Sequence, residues 1–240
     1  MTTPLTDIRA LVFDVFGTLV DWHGSIAREV TTLLGPRGIA VDGEAFADAW
    51  RDQYQPAMEE VRAGRIPFSK LDVLHRRNLD VVLRDLGLDA RVDEPMRREL
   101  NLAWHRLDAW PDVTPGLHRL RTRFRIAPCS NGNISLMADL ARRNDFAWDA
   151  ILGAELARDY KPKAVVYLSA AAAFDAEPGQ TLMVAAHSSD LQAAAAAGLR
   201  TAFVARPAEH GPGRGETHAS VPVDIEVGGL GELADRLGCR

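Results

Sequence analysis

Four short clusters of polar residues carry side chains that could do chemistry together. They are Asp14 to Thr18, the pair Ser130 and Asn131, Lys161, and the stretch from His187 to Asp190. Taken singly, each has an ordinary structural explanation as a turn, a helix start or a solvated group. Each also falls where a short apolar run ends, and the carboxyl ends of parallel strands meet at one edge of a sheet. If the runs are such strands, two carboxylates, a hydroxyl, an amide and an ammonium converge in one crevice, where a carboxylate can act as a nucleophile or as a base.

The apolar runs predict an α/β fold. After Trp110 the strand-like runs are RIAPCS, AIL, TLMVAA, TAFVA and DIEV, and they alternate with helical patterns at 134–143, 163–173 and 190–197. An earlier run of strand-forming residues ends at Asp14. This alternation is typical of a Rossmann-like parallel sheet with helices on both faces. The Gly- and Pro-rich stretch GPGRGETH, at 211–218, predicts a surface loop.

The segment 22–108 interrupts the alternation. Its apolar residues recur at helical spacing, as at Ile26 and Val30, and predict about four helices with no strand. We therefore expect a core of residues 1–21 and 109–240 and an all-helical cap domain of residues 22–108. Because ligands bind at the carboxyl edge of such sheets, the inserted cap should cover the site.

Composition limits the class of protein. The chain has 240 residues, 47% hydrophobic and 25% charged, and a formal net charge of −5, which is typical of a globular protein. Without a long basic run, nucleic acid is not an expected partner. The sequence shows neither an apolar stretch of about 18 residues nor a signal-peptide pattern, so we expect a cytoplasmic protein with no membrane partner. The two cysteines lack zinc-ligand spacing, which predicts no disulfide framework and no structural metal.

Four motifs, DVFGTLV, SNGN, YKPKAVVY and HSSDLQAA, resemble in order and separation those of the haloacid dehalogenase superfamily. The phosphatases of that superfamily carry a second Asp two residues after the nucleophile, where this chain has Phe16. They also tend to carry further acids in the fourth motif to complete a magnesium shell, where this chain offers only Asp190. The chain is thus more similar to the L-2-haloacid dehalogenases, which need no metal. WRDQ at 50–53, FSKL at 68–71 and Tyr167 match the same branch.

The resemblance implies a hydrolase acting on carbon–halide bonds without a cofactor. It would convert small 2-haloalkanoic acids, such as haloacetates and (S)-2-haloacids, to 2-hydroxy acids and halide. Asp14 would attack the halogen-bearing carbon to form an ester, which water then cleaves. The alternative is that Asp14 acts as a base that activates water for direct displacement.

The other predicted site residues take their roles from the same resemblance. Catalytic roles fall to Asp14, Thr18, Lys161, His187 and Asp190. The predicted substrate-binding residues are Phe16, Arg51, Phe68, Ser130, Asn131 and Tyr167. Among these, Ser130 and Lys161 would hold the substrate carboxylate, and Lys161 would also keep Asp14 ionised. The leaving halide would lie against Arg51, Asn131 and Phe68, although Arg51 could instead be solvated and Phe68 could simply pack in the cap. Thr18 and Tyr167 would orient their neighbours.

The fourth motif departs from the better-known members, which place a Ser and an Asn before the Asp. Here Ala185 and His187 stand at those positions. His187 either replaces the Asn as a donor, shares base duty with Asp190, or is simply held by the backbone at a strand end. We expect it to serve ester hydrolysis and not to lie beside Asp14.

Two further functions stay open. A small-molecule phosphatase of the same fold is disfavoured by Phe16 and the lone Asp190. A catalytically silent relative could use the fold for self-association, since an aromatic-rich cap would suit a homodimer. Retention of five candidate site residues together argues against a silent protein, namely Asp14, Thr18, Ser130, Lys161 and Asp190.

Overall fold

A computed structural model describes residues 5–240 and contains a six-stranded parallel sheet. Its strands are β1 (Ala10–Phe13), β4 (Arg125–Ser130), β5 (Leu152–Gly153), β6 (Thr181–Ala185), β7 (Arg200–Val204) and β8 (Ile225–Val227). Their order across the sheet is β5-β4-β1-β6-β7-β8, and every neighbouring pair is parallel. The chain passes from β1 through β4 to β5 and then returns to β6 on the other side of β1, and the predicted Rossmann-like α/β fold is confirmed.

Helices cover both faces of this sheet. They are α6 (Val113–Arg121), α7 (Ile134–Asn144), α8 (Ala154–Ala157), α9 (Ala164–Ala172), α10 (Ser188–Ala196) and α11 (Leu230–Arg236). Side chains of β1 alternate between the two layers, because successive residues of a strand point to opposite faces. Leu11 and Phe13 join the core beneath α6, α7 and α11, whereas Ala10 and Val12 join the core beneath α9 and α10. Short 3-10 helices lie at Leu5–Asp7 and Pro178–Gln180.

We use the name cap segment for residues 22–108. It contains α1 (Trp22–Leu34), α2 (Gly43–Asp52), α3 (Tyr54–Arg62), α4 (Leu71–Asp85) and α5 (Glu94–Asn101), with 3-10 helices at Gly35–Arg37 and Leu102–Arg106. The chain leaves and returns through an antiparallel ribbon of β2 (Val20–Asp21) and β3 (Asp108–Ala109). Asp108 thus lies in a strand that was not predicted. The domain boundaries themselves stay a prediction.

The cap segment has one more α-helix than expected because the pattern through Trp50 and Tyr54 is split at Gln53. Proline at position 56 has no N–H with which to continue the α-helical bonding back to Asp52. In the first turn of a new helix that missing donor is tolerated, so the chain turns at Gln53 and restarts as α3.

Aromatic side chains fill the interior of the cap segment. Trp22, Trp50 and Trp104 are all 0% exposed, and the ring of His75 stacks on Trp104 at 4.2 Å. The ring of Phe16 meets Trp104 edge-on at 5.7 Å, so this aromatic interior continues into the loop after β1. Because these tryptophans pack inward, they do not form an exposed aromatic surface that would support a homodimer. The homodimer stays a prediction.

Across residues 5–240, none of the helices is both long enough and apolar enough to cross a bilayer.

Candidate active site

A cavity of about 590 Å³ lies between the carboxyl edge of the sheet and the cap segment. The sheet side contributes Asp14, Phe16, Asn131, Lys161, Pro162, Lys163, His187, Ser189 and Asp190, and the cap segment contributes Arg51, Tyr54, Gln55, Glu59 and Arg62. The predicted convergence of polar clusters at this edge is therefore what the fold produces, and the inserted helices cover it.

Asp14 is the first residue after β1 and is only 6% exposed. Its backbone N–H donates to the carbonyl of Val184 at 3.0 Å, which extends the strand pairing by one residue. One carboxylate oxygen, Oδ2, accepts a hydrogen bond from the Thr18 hydroxyl at 2.7 Å. Thr18 in turn accepts the backbone N–H of Ala186 at 2.9 Å. Thr18 thus fixes the carboxylate against β6, in the orienting role predicted for it.

The ammonium of Lys161 lies between two carboxylates. Its Nζ donates to Asp14 Oδ1 at 2.8 Å and to Asp190 Oδ2 at 2.6 Å, and Lys161 is 7% exposed. Burial by itself would lower the pKa of this ammonium, but the two carboxylates raise the pKa well above its ordinary value. Burial would likewise raise the pKa of the Asp14 carboxyl, but Lys161 and His187 hold it far below its usual range. Asp14 is consequently ionised and poorly suited to act as a base.

Tyr167 lies behind Asp190 and does not line the cavity. Its hydroxyl donates to Asp190 Oδ1 at 2.5 Å, while burial and the Asp190 charge raise the Tyr167 pKa well above its ordinary value. The hydroxyl therefore keeps its proton and remains a donor. Tyr167 orients Asp190 toward Lys161.

His187 lies beside the nucleophile, contrary to expectation. Its Nδ1 is 3.1 Å from Asp14 Oδ2, and its Nε2 is 2.9 Å from both carboxylate oxygens of Glu209. Burial would lower the pKa of the imidazole, but these hydrogen bonds to Asp14 and Glu209 raise it to about 10. A ring that is protonated at neutral pH donates from both nitrogens and cannot accept a proton. This protonation state excludes base duty at neutral pH and favours the role of donor.

Arg51 points into the cavity from the last turn of α2. Its guanidinium lies over the ring of Tyr54 at 4.1 Å and near the ring of Trp22 at 5.1 Å. One of its nitrogens, Nη1, is buried and has no hydrogen-bond partner among the described residues. A buried donor left unpaired costs about 1–3 kcal/mol, so this group has a strong tendency to take up an anion. The solvated alternative for Arg51 does not fit this placement.

Like Tyr167, the predicted binding residues Phe68 and Ser130 do not line the cavity. The ring of Phe68 packs on Tyr160 at 5.5 Å and lies under the Arg158 guanidinium at 4.6 Å, because the Tyr160 hydroxyl ties this segment down by donating to the Ser69 carbonyl at 2.6 Å. The apolar wall predicted for Phe68 is formed instead by other aromatic side chains, Phe16 and Tyr54.

Ser130 is fully buried, and its hydroxyl accepts the backbone N–H of Gly132 at 3.0 Å within the turn after β4. It therefore supports the turn and does not line the cavity, and its predicted role with the substrate carboxylate stays a prediction. Its neighbour Asn131 does line the cavity. Asn131 Oδ1 accepts the backbone N–H of Lys161 at 2.9 Å, and its side chain is also hydrogen-bonded to the Tyr54 hydroxyl.

One further residue of this site was not predicted from the sequence. Glu209 is 2% exposed and lies against His187, yet it belongs to the loop after β7, next to the Gly- and Pro-rich stretch expected to be surface. Burial of this acid would have been the signal, but hydrophobic periodicity does not reveal which residues of a loop are buried.

Comparison with known proteins supports the resemblance found in the motifs. A family model for haloacid dehalogenase-like hydrolases matches residues 8–198. The chain belongs to this family. A curated relative, (S)-2-haloacid dehalogenase 1 from Pseudomonas sp. (strain CBS-3), is 29% identical over 203 residues, or 83% of this chain and 85% of the relative.

Two solved structures are similar to this hydrolase over nearly the whole chain. That of a defluorinating L-2-haloacid dehalogenase has a TM-score of 0.95 at 42% identity, covering 100% of this chain and 99% of the other. That of a second L-2-haloacid dehalogenase has a TM-score of 0.92 at 41% identity, covering 96% and 99%. The predicted membership, fold and hydrolase class are thereby confirmed.

Replacing Lys161 with Met should destabilise this hydrolase by about 3–5 kcal/mol at pH 8, because Asp14 and Asp190 lose the ammonium between them. Burial and mutual repulsion should then raise the pKa of these carboxyls, so the variant should regain stability as the pH falls toward 5. Urea denaturation at both pH values measures this. Lys163→Met, at an exposed position in the same loop, is the control and should change stability by less than about 0.5 kcal/mol. A Lys161→Met protein as stable as the wild type at pH 8 would contradict the electrostatic account.

Proposed function

We propose that this protein is a hydrolytic 2-haloacid dehalogenase that acts through an aspartyl ester. Its substrates would be small 2-haloalkanoic acids, namely haloacetates and (S)-2-haloacids, and its products the 2-hydroxy acid and halide. The observation that carries the proposal is the pairing, in one cavity, of an ionised Asp14 with an unpartnered N–H of Arg51. The first can attack carbon, and the second can receive the anion that leaves.

In the first half-reaction a carboxylate oxygen of Asp14 attacks the halogen-bearing carbon. The new carbon–oxygen bond forms as the carbon–halogen bond breaks, and the halide leaves with the bonding electron pair. A halide needs no proton to depart, so Phe16 can stand where a general acid would otherwise be required. Arg51, held against the rings of Tyr54 and Trp22, stabilises the departing charge. The third N–H of Lys161, beyond the two given to Asp14 and Asp190, is available to the substrate carboxylate.

In the second half-reaction water attacks the carbonyl carbon of the Asp14 ester. Asp190 is the proposed base, because it lines the cavity and the protonated His187 cannot take a proton at neutral pH. The bond between the Asp14 carbonyl carbon and the ester oxygen then breaks, which releases the hydroxy acid with an oxygen that came from Asp14. The proton held by Asp190 passes to that leaving oxygen. The second proton of the water is released to solvent from the restored Asp14 carboxyl, whose pKa is held far below its usual range.

The charges around Asp14 support a reaction without a metal. Its oxygen Oδ1 faces the Lys161 ammonium and Oδ2 faces the His187 imidazolium. A divalent cation bound to this carboxylate would stand close to both positive charges and be repelled by them. A cytoplasmic location and a homodimer remain further parts of the proposal, and neither is needed for this chemistry.

Halide release from a panel of acids tests the function. Fluoro-, chloro- and bromoacetate and both 2-chloropropionates should be assayed beside p-nitrophenyl phosphate, each with and without EDTA. We expect halide from the haloacetates and from (S)-2-chloropropionate, no effect of chelation, and no phosphate hydrolysis. Asp14→Asn is the inactive control. Magnesium-dependent phosphate hydrolysis without halide release would replace this proposal with the phosphatase alternative.

Replacing Arg51 with Lys should lower the turnover number about 100- to 1000-fold while the fold stays intact. A rigid fork of donors between two aromatic rings is exchanged for one mobile ammonium, and loss of one such transition-state donor typically has this effect. Steady-state halide release and circular dichroism measure the two properties. Arg37→Lys, on the exposed surface of the cap segment, is the matched control. Wild-type turnover in Arg51→Lys would remove Arg51 from the halide site.

A further inference from the structure

Glu209 is a buried carboxylate that the proposed reaction does not yet use. It lies in residues 205–216, which we name the Glu209 loop. Besides His187, its Oε1 accepts a hydrogen bond from Trp22 Nε1 at 3.1 Å. Burial would raise the pKa of the Glu209 carboxyl, but the neighbouring His187 lowers it, so the group is ionised. A buried charge is retained only when it is paired, and here the partner is the ring that touches Asp14.

The Glu209 loop is anchored to the loop that carries the nucleophile. Arg206, 7% exposed, donates its Nε–H to the Thr18 carbonyl at 2.8 Å and makes a two-pronged ion pair with Asp112 at 2.9 and 3.0 Å. The backbone N–H of Glu209 donates to the Arg206 carbonyl at 3.1 Å.

Glycine is required at position 17, which has a φ of +83°. A Cβ added there would lie 2.1 Å from Glu209 Oε1. The anchoring by Arg206 and this close approach fix where the carboxylate lies relative to Asp14.

We infer that Glu209 is a positioning residue for ester hydrolysis, which it serves by holding His187 as a cationic donor to Asp14 Oδ2. The inference rests on the proposed function. With Lys161 on Oδ1, the groups on Oδ2 are the His187 ring and the Thr18 hydroxyl. Two donors converging on one carboxylate oxygen form the arrangement that stabilises an oxyanion in acyl transfer.

The need for Glu209 arises when the ester forms. Asp14 is then neutral, so His187 loses one of the two carboxylates that stabilise its positive charge. Glu209 is the one that remains. In the ester formed through Asp14 Oδ1, the carbonyl oxygen is Oδ2. When water attacks the ester carbonyl carbon, the carbonyl electron pair moves onto Oδ2, and the His187 N–H and Thr18 O–H face that negative charge. Collapse returns the pair to the carbonyl as the bond to the hydroxy acid breaks.

Two other titratable or charged groups, His210 and Arg51, lie near Glu209. His210 Nε2 is 3.6 Å from Glu209 Oε1, and its own pKa is lowered, chiefly by burial, so it is neutral at neutral pH. Arg51 reaches Glu209 by charge alone and lowers its pKa. The acids beside His187 in the chain have other partners, since Asp190 pairs with Lys161 and Glu216 accepts from the Ser188 N–H and hydroxyl. Glu209 is therefore the carboxylate that stays hydrogen-bonded to the His187 ring once Asp14 is esterified.

The test is Glu209→Gln, which preserves size and the acceptor for Trp22 but removes the charge. Rapid-quench halide release measures ester formation, and intact-protein mass spectrometry measures the ester. We expect ester formation within about twofold of the wild type, ester hydrolysis slowed about 100-fold at pH 8, and an accumulated adduct on Asp14. The alkaline limb of ester hydrolysis should move to lower pH, because the imidazolium loses its proton more easily.

Two further variants separate positioning from general damage. In a His187→Asn background, adding Glu209→Gln should change ester hydrolysis by less than about twofold, because Glu209 acts through His187. Glu216→Gln, which lies in the same loop and accepts from the Ser188 backbone N–H, should hydrolyse the ester at the wild-type rate. A further large loss in the double variant, or an equal loss in Glu216→Gln, would overturn the inference.

The wild type provides a test that does not depend on a variant folding. Nitrogen NMR of the His187 ring should show both nitrogens protonated at pH 8, and a neutral ring would overturn the inference. Failure of the proposed function gives a different result. If the wild-type enzyme never forms an ester on Asp14, the proposed function is wrong, regardless of the effect of Glu209→Gln. An ester that forms normally and is hydrolysed at the wild-type rate in Glu209→Gln defeats the inference alone.

Discussion

The site depends on a row of five buried or partly buried side chains with alternating charge. Asp190, Lys161, Asp14, His187 and Glu209 follow one another with contacts of 2.6, 2.8, 3.1 and 2.9 Å. Removing such charges from water is costly, and the cost is offset only when every charge has a partner of opposite sign and its remaining polar atoms are hydrogen-bonded. The row meets both conditions, because Tyr167 donates to the Asp190 oxygen that Lys161 leaves open and Thr18 adds a second donor at Asp14 Oδ2 beside His187. Asp14 lies at the centre of the row, so a change in its charge alters the electrostatic environment of both Lys161 and His187.

The parallel sheet brings this row together. Asp14 follows β1 and His187 follows β6, which are neighbours, so the two residues meet at one edge. Asp190 lies in the first turn of α10, only three residues beyond His187. The cap segment adds Tyr54 to the apolar wall that Phe16 begins, and it places the cationic Arg51 over the Tyr54 ring. The sheet therefore provides the nucleophile and its charge balance, while the cap segment provides the cation proposed to receive the halide.

Much of this arrangement was predictable, because a parallel sheet gathers whatever follows its strands. Asp14 and the stretch from His187 to Asp190 could be placed together from strand-like runs alone. Lys161 was expected at a strand end as well, but it lies in the loop after α8. Glu209 could not, since an irregular loop held by the Arg206–Asp112 ion pair carries it into the site, and no periodicity marks such a loop. Phe68 was misplaced for a related reason. Its loop is positioned by a hydrogen bond between Tyr160 and the Ser69 backbone, a contact between residues 91 positions apart.

The most direct test of the account is the origin of the new hydroxyl oxygen. A single turnover in heavy-oxygen water, with enzyme in excess over a 2-haloacid, should give a hydroxy acid whose new hydroxyl carries ordinary oxygen, with one heavy oxygen left on Asp14. That result follows if the carboxylate attacks carbon and is restored by water. Heavy oxygen in the first-turnover product, with none in the protein, would contradict the nucleophilic role and make Asp14 a base.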